Sequence, residues 1–236
     1  MKTLRKANER GRADFGWLDS RHSFSFGEYF DPEYMGYGPI RVLNDDRIAG
    51  GGGFPLHPHA DMEIFSYVPE GQLAHQDSLG NGSTIGRNKV QLMGAGTGIR
   101  HSEYNPSETE PVHLLQVWIE PRKKGLAPNY QERDFPAPTP GEAVLRRIIA
   151  PDTESPTDAL AIRQDVTVYS GHVPAGGNLT LPLADGERGW LQMISGDGRV
   201  GDQPVATGDG LAVEQETDPV FAAEADSEFL WFRIAG

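Results

Sequence analysis

The chain has 236 residues, enough for one large or two small domains with apolar cores of their own. It contains no cysteine, which excludes disulfides, thiolate metal ligands and a cysteine nucleophile, and its 29 glycines and 18 prolines favour strands and turns over a helical bundle. A net charge of −13 argues against nonspecific binding to nucleic acid and reads as a solvated acidic surface.

The first stretch, MKTLRKANERGRADFGWL, is charged and has no apolar h-region, and no later run of about 18 apolar residues could span a bilayer. The expectation is a cytoplasmic protein without a membrane partner. RHSFSFGEYF (21–30) alternates, which puts Phe24 and Phe26 on one face of a strand. DPEYMGYGPI (31–40) and the glycine run at 50–53 read as loops.

From Phe54 to Glu120 strand signals are dense. EIFSYVPEGQLAHQD carries a Pro-Glu-Gly turn between two short runs and predicts a hairpin. SLGNGST (78–84) is a turn, KVQLMGAGTGIRHSEY gives two strands about a glycine-rich turn, and VHLLQVWI (112–119) is a buried strand. Residues 122–140 are polar and proline-rich, and read as a linker between an N-terminal barrel (1–121) and a C-terminal one (141–236). SPTDALAI (155–162) suits a short helical turn.

The second half repeats the style of the first. EGQL after EIFSYVP matches GDGRV after WLQMIS, and LLQVWI matches FLWFRI, which suggests duplication of a barrel or jelly roll. On that alignment His57, His59 and Glu63 fall opposite Leu183, Asp185 and Gly189, and His101 and Glu103 fall opposite Val213 and Gln215. The C-terminal barrel is therefore expected to carry no metal ligands.

Chemistry concentrates in HPHADME (57–63) and RHSE (100–103). His57 and His59 are two apart, as are His101 and Glu103, and in a strand such pairs point to one face. Three imidazoles and a carboxylate would leave about two positions open on an octahedral ion. That set suits Fe(II), Ni, Cu, Mn or Co better than a closed structural Zn site. Glu63 has the same parity as the first pair, so spacing alone does not choose between Glu63 and Glu103. A single H-x-H is common by chance; two such pairs together carry the reading. His75 is expected at the surface, with a role behind the ligands as the alternative; His113 reads as partial core or a support for a ligand. His22 and His172 have no partner signal nearby. No phosphate-binding loop, dinucleotide fingerprint or nucleophile elbow occurs.

RADFGWLDSRHSFSFGEYFDPEYMGYGPIRVLNDD, HPHADMEIFSYVPEGQLAHQDSLGN, GAGTGIRHSEYNP and LLQVWIEP together resemble the pirin family of bicupins, over most of residues 10–121. The resemblance implies an all-β bicupin, two cupin-type jelly-roll β-barrels in tandem. It implies one metal, usually iron, held by His57, His59, His101 and Glu103. It further implies either of two activities. One is quercetin 2,3-dioxygenase chemistry on a flavonol-like aromatic, releasing carbon monoxide; for that chemistry a carboxylate beside the metal, Glu103 or alternatively Glu63, is expected to accept the substrate's hydroxyl proton. The other is a redox-sensing role toward a protein partner without turnover. Tandem fused barrels let a monomer suffice.

Overall fold

The computed structural model describes all 236 residues. It is built from 22 strands and two short 3₁₀ turns, Ala7–Glu9 and Asp152–Glu154. Contacts divide the chain into two units. The N-terminal unit comprises Gly11–Phe135 with Ile162–Gln164, and the C-terminal unit comprises Met1–Arg10, Pro136–Ala161 and Asp165–Gly236. No helix is long and apolar enough to cross a membrane.

In the N-terminal unit a seven-stranded antiparallel sheet runs, edge to edge, β12 (Asn129–Asp134), β9 (Lys89–Gly94), β6 (Glu63–Glu70), β11 (Val112–Ile119), β4 (Ile40–Ile48), β3 (Leu18–His22) and β2 (Gly11–Asp14). A four-stranded sheet runs β5 (Gly53–His59), β10 (Ile99–Tyr104), β7 (Gln72–Asp77) and β8 (Gly82–Gly86).

The C-terminal unit repeats the plan. Its seven-stranded sheet runs β1 (Lys2–Arg5), β20 (Gly210–Glu214), β17 (Arg188–Ser195), β22 (Ser227–Ile234), β15 (Val166–Val173), β13 (Val144–Pro151) and β14 (Leu160–Ile162). Its four-stranded sheet runs β16 (Asn178–Thr180), β21 (Val220–Ala223), β18 (Gly198–Val200) and β19 (Gln203–Val205). Two such sandwiches are the tandem cupin barrels expected from the sequence.

Several local expectations are corrected. The Pro-Glu-Gly turn does not close a hairpin: β6 and β7 lie in different sheets, and Gly71, at φ +77, lets the chain cross between them. Phe24 and Phe26 do not share a strand, because β3 ends at His22 and the chain then closes an isolated bridge, Phe26 to Tyr29. Phe24 is buried and Phe26 half-buried as a result. The segment 155–162 holds a strand, β14, rather than a helical turn. The proline-rich stretch 122–140 is not all linker: within it β12 pairs with β9 from Asn129 opposite Gly94 to Asp134 opposite Lys89. At the other end, β1 pairs with β20 across the length of the chain, from Lys2 opposite Val213 to Arg5 opposite Gly210, so the first ten residues belong to the C-terminal unit.

The two interiors differ. In the C-terminal unit an apolar cluster includes Leu191, Met193, Leu211, Phe221, Phe229 and Trp231. In the N-terminal unit one cluster gathers around Ile48, Val68, Leu73, Ile85 and Leu114, and another around Ile64, Met93, Ala95 and Ile99. The row between them is polar. Across five adjacent strands, His22, Asn44, Gln116, Ser66 and Gln91 stand opposite one another in register. All five are buried.

Candidate metal centre

The site forms where β5 and β10 pair. His101 stands directly opposite His57, and two residues further along β10 Glu103 stands opposite Phe54. Three residues of β5 thus span what two span on β10, a bulge that includes Pro55, which has no N–H for the ladder. The Pro55 carbonyl instead accepts from His57 Nδ1 at 2.8 Å. A carbonyl only accepts, so the hydrogen is on Nδ1 and the Nε2 lone pair of His57 is free.

His57, His59 and His101 are brought together: one ring nitrogen of each lies within 4.8 Å of the others. The nearest pair, His59 Nε2 and His101 Nε2, is 2.9 Å apart. Two nitrogens each about 2.1 Å from one ion and at right angles are about 3 Å apart, so the spacing fits a shared cation. Burial, then the neighbouring His57, pulls His59 down to about 4. Burial, followed by His59, His57 and His75, pulls His101 to about 2. His59 and His101 are neutral near pH 7, the form in which imidazole binds a metal.

Glu103 shares the inward face of β10 with His101 and is fully buried, but it stands outside the histidine grouping. Its carboxyl meets the polar row of the facing sheet. Gln116 Nε2 donates to Oε2 at 2.6 Å, and Ser66 Oγ (3.3 Å) and Gln91 Nε2 (3.4 Å) donate to Oε1. Burial outweighs these donors and pushes the carboxyl up to about 7. Asp46, also fully buried, is pushed up to about 7, by burial first and then by the charges of Asp45 and Glu103, against a hydrogen bond from Ser20.

Glu63 goes elsewhere. A turn at Asp61, with φ +51, breaks the strand after His59, and Glu63 opens β6 in the other sheet. There its Oε2 accepts from the Arg163 backbone N–H at 3.4 Å, and its Oε1 is 4.0 Å from the guanidinium.

Aromatic rings flank the imidazoles. Trp118 meets His59 edge-on at 4.7 Å, Phe26 meets Trp118 at 5.4 Å, and Phe54 lies 6.3 Å from His57. His75, expected at the surface, is buried, with Nε2 3.1 Å from His101 Nδ1. His113 is held by Asp45 at 2.7 Å. His22 finds Asn44 at 2.8 Å, and His172 lies 4.0 Å from Glu228.

The C-terminal unit has no such cluster. Strand order makes β16 and β21 the counterparts of β5 and β10, so the counterparts of the ligand pairs lie on Asn178–Thr180 and Val220–Ala223. Leu183 and Asp185 instead lie in the loop after β16, and Val213 lies one strand early, on β20. The repeat alignment was displaced there, although the counterpart strands carry no histidine either.

Residues 3–119 match the family model described as Pirin, and residues 148–234 match the one described as Quercetinase C-terminal cupin domain. The chain is 45% identical over 234 residues to the quercetin 2,3-dioxygenase of Escherichia coli (strain K12), covering 99% of each. It belongs to the pirin family. A Caulobacter vibrioides pirin-like protein is 40% identical over 221 residues, covering 93% of this pirin and 94% of that protein. The crystal structure of YhhW from Escherichia coli superposes with a TM-score of 0.93 at 44% identity, covering 99% of this chain and 97% of that one. The same bacterial pirin solved with nickel(II) gives 0.92 at 43% identity, covering 100% and 99%.

Proposed function

We propose that this pirin is an iron(II)-dependent dioxygenase that opens a flavonol such as quercetin with O₂ and releases carbon monoxide. The observation that carries the reading is the convergence of three imidazoles beside the rings of Trp118 and Phe26. The quercetin 2,3-dioxygenase name of a relative covering 99% of the chain supports the activity, and the nickel(II) complex of YhhW supports a bound metal.

His57, His59 and His101 would hold the ion, with Glu103 as the carboxylate arm two residues along the same strand face. Bound there, the metal would supply Lewis-acid and electron-transfer chemistry toward the flavonol and O₂. The chain does the rest. Phe26 and Trp118 offer ring faces and edges to a planar aromatic. Glu103, whose buried carboxyl is pushed up to about 7, is suited to take and hold the substrate's 3-hydroxyl proton at Oε1 or Oε2. Gln116, Ser66 and Gln91 keep that carboxyl aimed and hydrogen-bonded in either protonation state.

The test is anaerobic loading with Fe(II) followed by aerobic incubation with quercetin, following flavonol absorbance and carbon monoxide together. Loss of quercetin with release of carbon monoxide is expected for the wild type and not for His57→Ala/His101→Ala. Iron retained while quercetin stays intact would overturn the substrate assignment.

A further inference from the structure

His75 lies on β7 opposite Glu103 in register, and only 3% of it is exposed. One face of its ring stacks on Tyr130, with centroids 5.0 Å apart and planes 12° from parallel. Tyr130 is itself fixed: its hydroxyl donates to Glu132 at 3.0 Å, and Glu132 pairs with Lys89 at 2.6 Å. His75 Nε2 faces His101 Nδ1 at 3.1 Å, whereas its Nδ1 is buried without a partner.

These contacts tie two rings together. A neutral imidazole carries one N–H. His101 Nε2 faces His59, and its Nδ1 faces His75. With no cation, the close contacts are satisfied in sequence: His75 Nε2–H donates to His101 Nδ1, and His101 Nε2–H donates to His59 Nε2. The orphan is then a bare lone pair on His75 Nδ1, a smaller cost than a buried orphan N–H. If His101 Nε2 instead gives its lone pair to a metal, its hydrogen moves to Nδ1, and the acceptor within reach is His75 Nε2. His75 must then carry its own hydrogen on Nδ1.

We propose that His75 is a positioning residue for His101, and that its ring changes tautomer when the His57, His59 and His101 cluster takes up a metal. The proposal rests on that cluster being a metal site. It predicts that a residue touching no metal sets the affinity, and that the empty protein keeps the tautomer poorer for binding.

Two arms test it. In the first, nickel(II) is titrated calorimetrically into wild type, His75→Phe and His75→Gln. Phe keeps the stack on Tyr130 and removes the acceptor, so affinity should fall about 10–100-fold. The metal-free His75→Phe protein should unfold close to wild type, since the orphaned lone pair on His75 Nδ1 is exchanged for one on His101 Nδ1. Gln, whose Oε1 can accept from Nδ1–H, should restore most of the loss. In the second, ¹⁵N-histidine NMR of the wild type should find the His75 N–H on Nε2 without metal and on Nδ1 with zinc(II). Unchanged affinity in His75→Phe, or an Nε2–H that persists with zinc(II), would overturn the proposal. Wild type that binds no metal would overturn the cluster reading and this proposal with it. Binding by wild type with no effect of His75 would remove the proposal alone.

Discussion

Gln116 holds Glu103 by its amide nitrogen, and Trp118 decides that it does. The indole Nε1–H, which can only donate, reaches Gln116 Oε1 at 3.3 Å, which turns Nε2 toward Glu103 Oε2 at 2.6 Å. The aromatic wall and the buried carboxyl are thereby one assembly. Gln116→Leu should leave the carboxyl short of a donor and the indole N–H bare. We expect a loss of about 1–3 kcal/mol in urea unfolding of the metal-free protein.

Trp118 has a second task that substitution can separate. Trp118→Phe keeps a ring against His59 but loses the indole N–H, whereas Trp118→Ala loses both. Anaerobic quercetin binding to the nickel-loaded protein, read by fluorescence, should weaken about tenfold in Trp118→Ala and much less in Trp118→Phe. Equal losses in the two variants would assign the effect to the hydrogen bond instead.

Metal removal should cost stability by mass action. Nickel(II) at about 100 times its dissociation constant adds roughly 2.7 kcal/mol, or a few degrees in melting temperature. A chelator should reverse the rise. The His57→Ala/His101→Ala protein should melt at one temperature with or without nickel.

Asp46 gives the N-terminal unit a pH dependence of definite sign. Its carboxyl is raised from 3.8 to about 7 in the fold, so between those values the native state holds a proton that the unfolded chain has released. Its contribution to stability is therefore present below about pH 4, falls as pH rises to 7, and is constant above. The loss is a few kcal/mol at most. Asp46→Asn, which keeps an oxygen for Ser20 and cannot ionise, should gain on the wild type as pH rises from 5 to 8 in urea unfolding without metal.

In the C-terminal unit, a Cβ at Gly189 would stand 2.0 Å from Trp231 Cη2, inside a fully buried ring. Gly189→Ala should destabilise by roughly 1–3 kcal/mol through overpacking. Nickel affinity should be unchanged, since no ligand lies in that unit.

The sequence showed whatever was local. Both expected ligand pairs are i, i+2 on strands, which puts each pair on one face, and the pairing of β5 with β10 brings His57, His59 and His101 together. What spacing could not show was that Glu63 leaves the strand of His57 and His59, because Asp61, with its left-handed backbone, turns the chain out of that strand. The row from His22 to Gln91 was illegible for another reason. Its members come from five strands scattered between residues 18 and 119, and only sheet order sets them side by side. The same holds for β1 and β12, short polar strands whose partners are far away in the chain. His75 looked like a surface residue because the ring that covers it, Tyr130, lies in the stretch that read as linker.

The bulge on β5 has a bearing on how this centre tolerates change. His57 takes its aim from Pro55, two positions back in its own strand, rather than from a neighbouring element. Two of the three imidazoles are therefore carried by a single peptide, Pro55 to His59, whose orientation travels with it. An insertion in a distant loop leaves that peptide's aim intact, and deleting one bulge residue between Phe54 and His57 would keep His57 on its face, whereas deleting Pro58 would turn His59 to the opposite side of the sheet from His57. The centre's most exposed ligand strand is robust to drift elsewhere in the chain and brittle within these few positions.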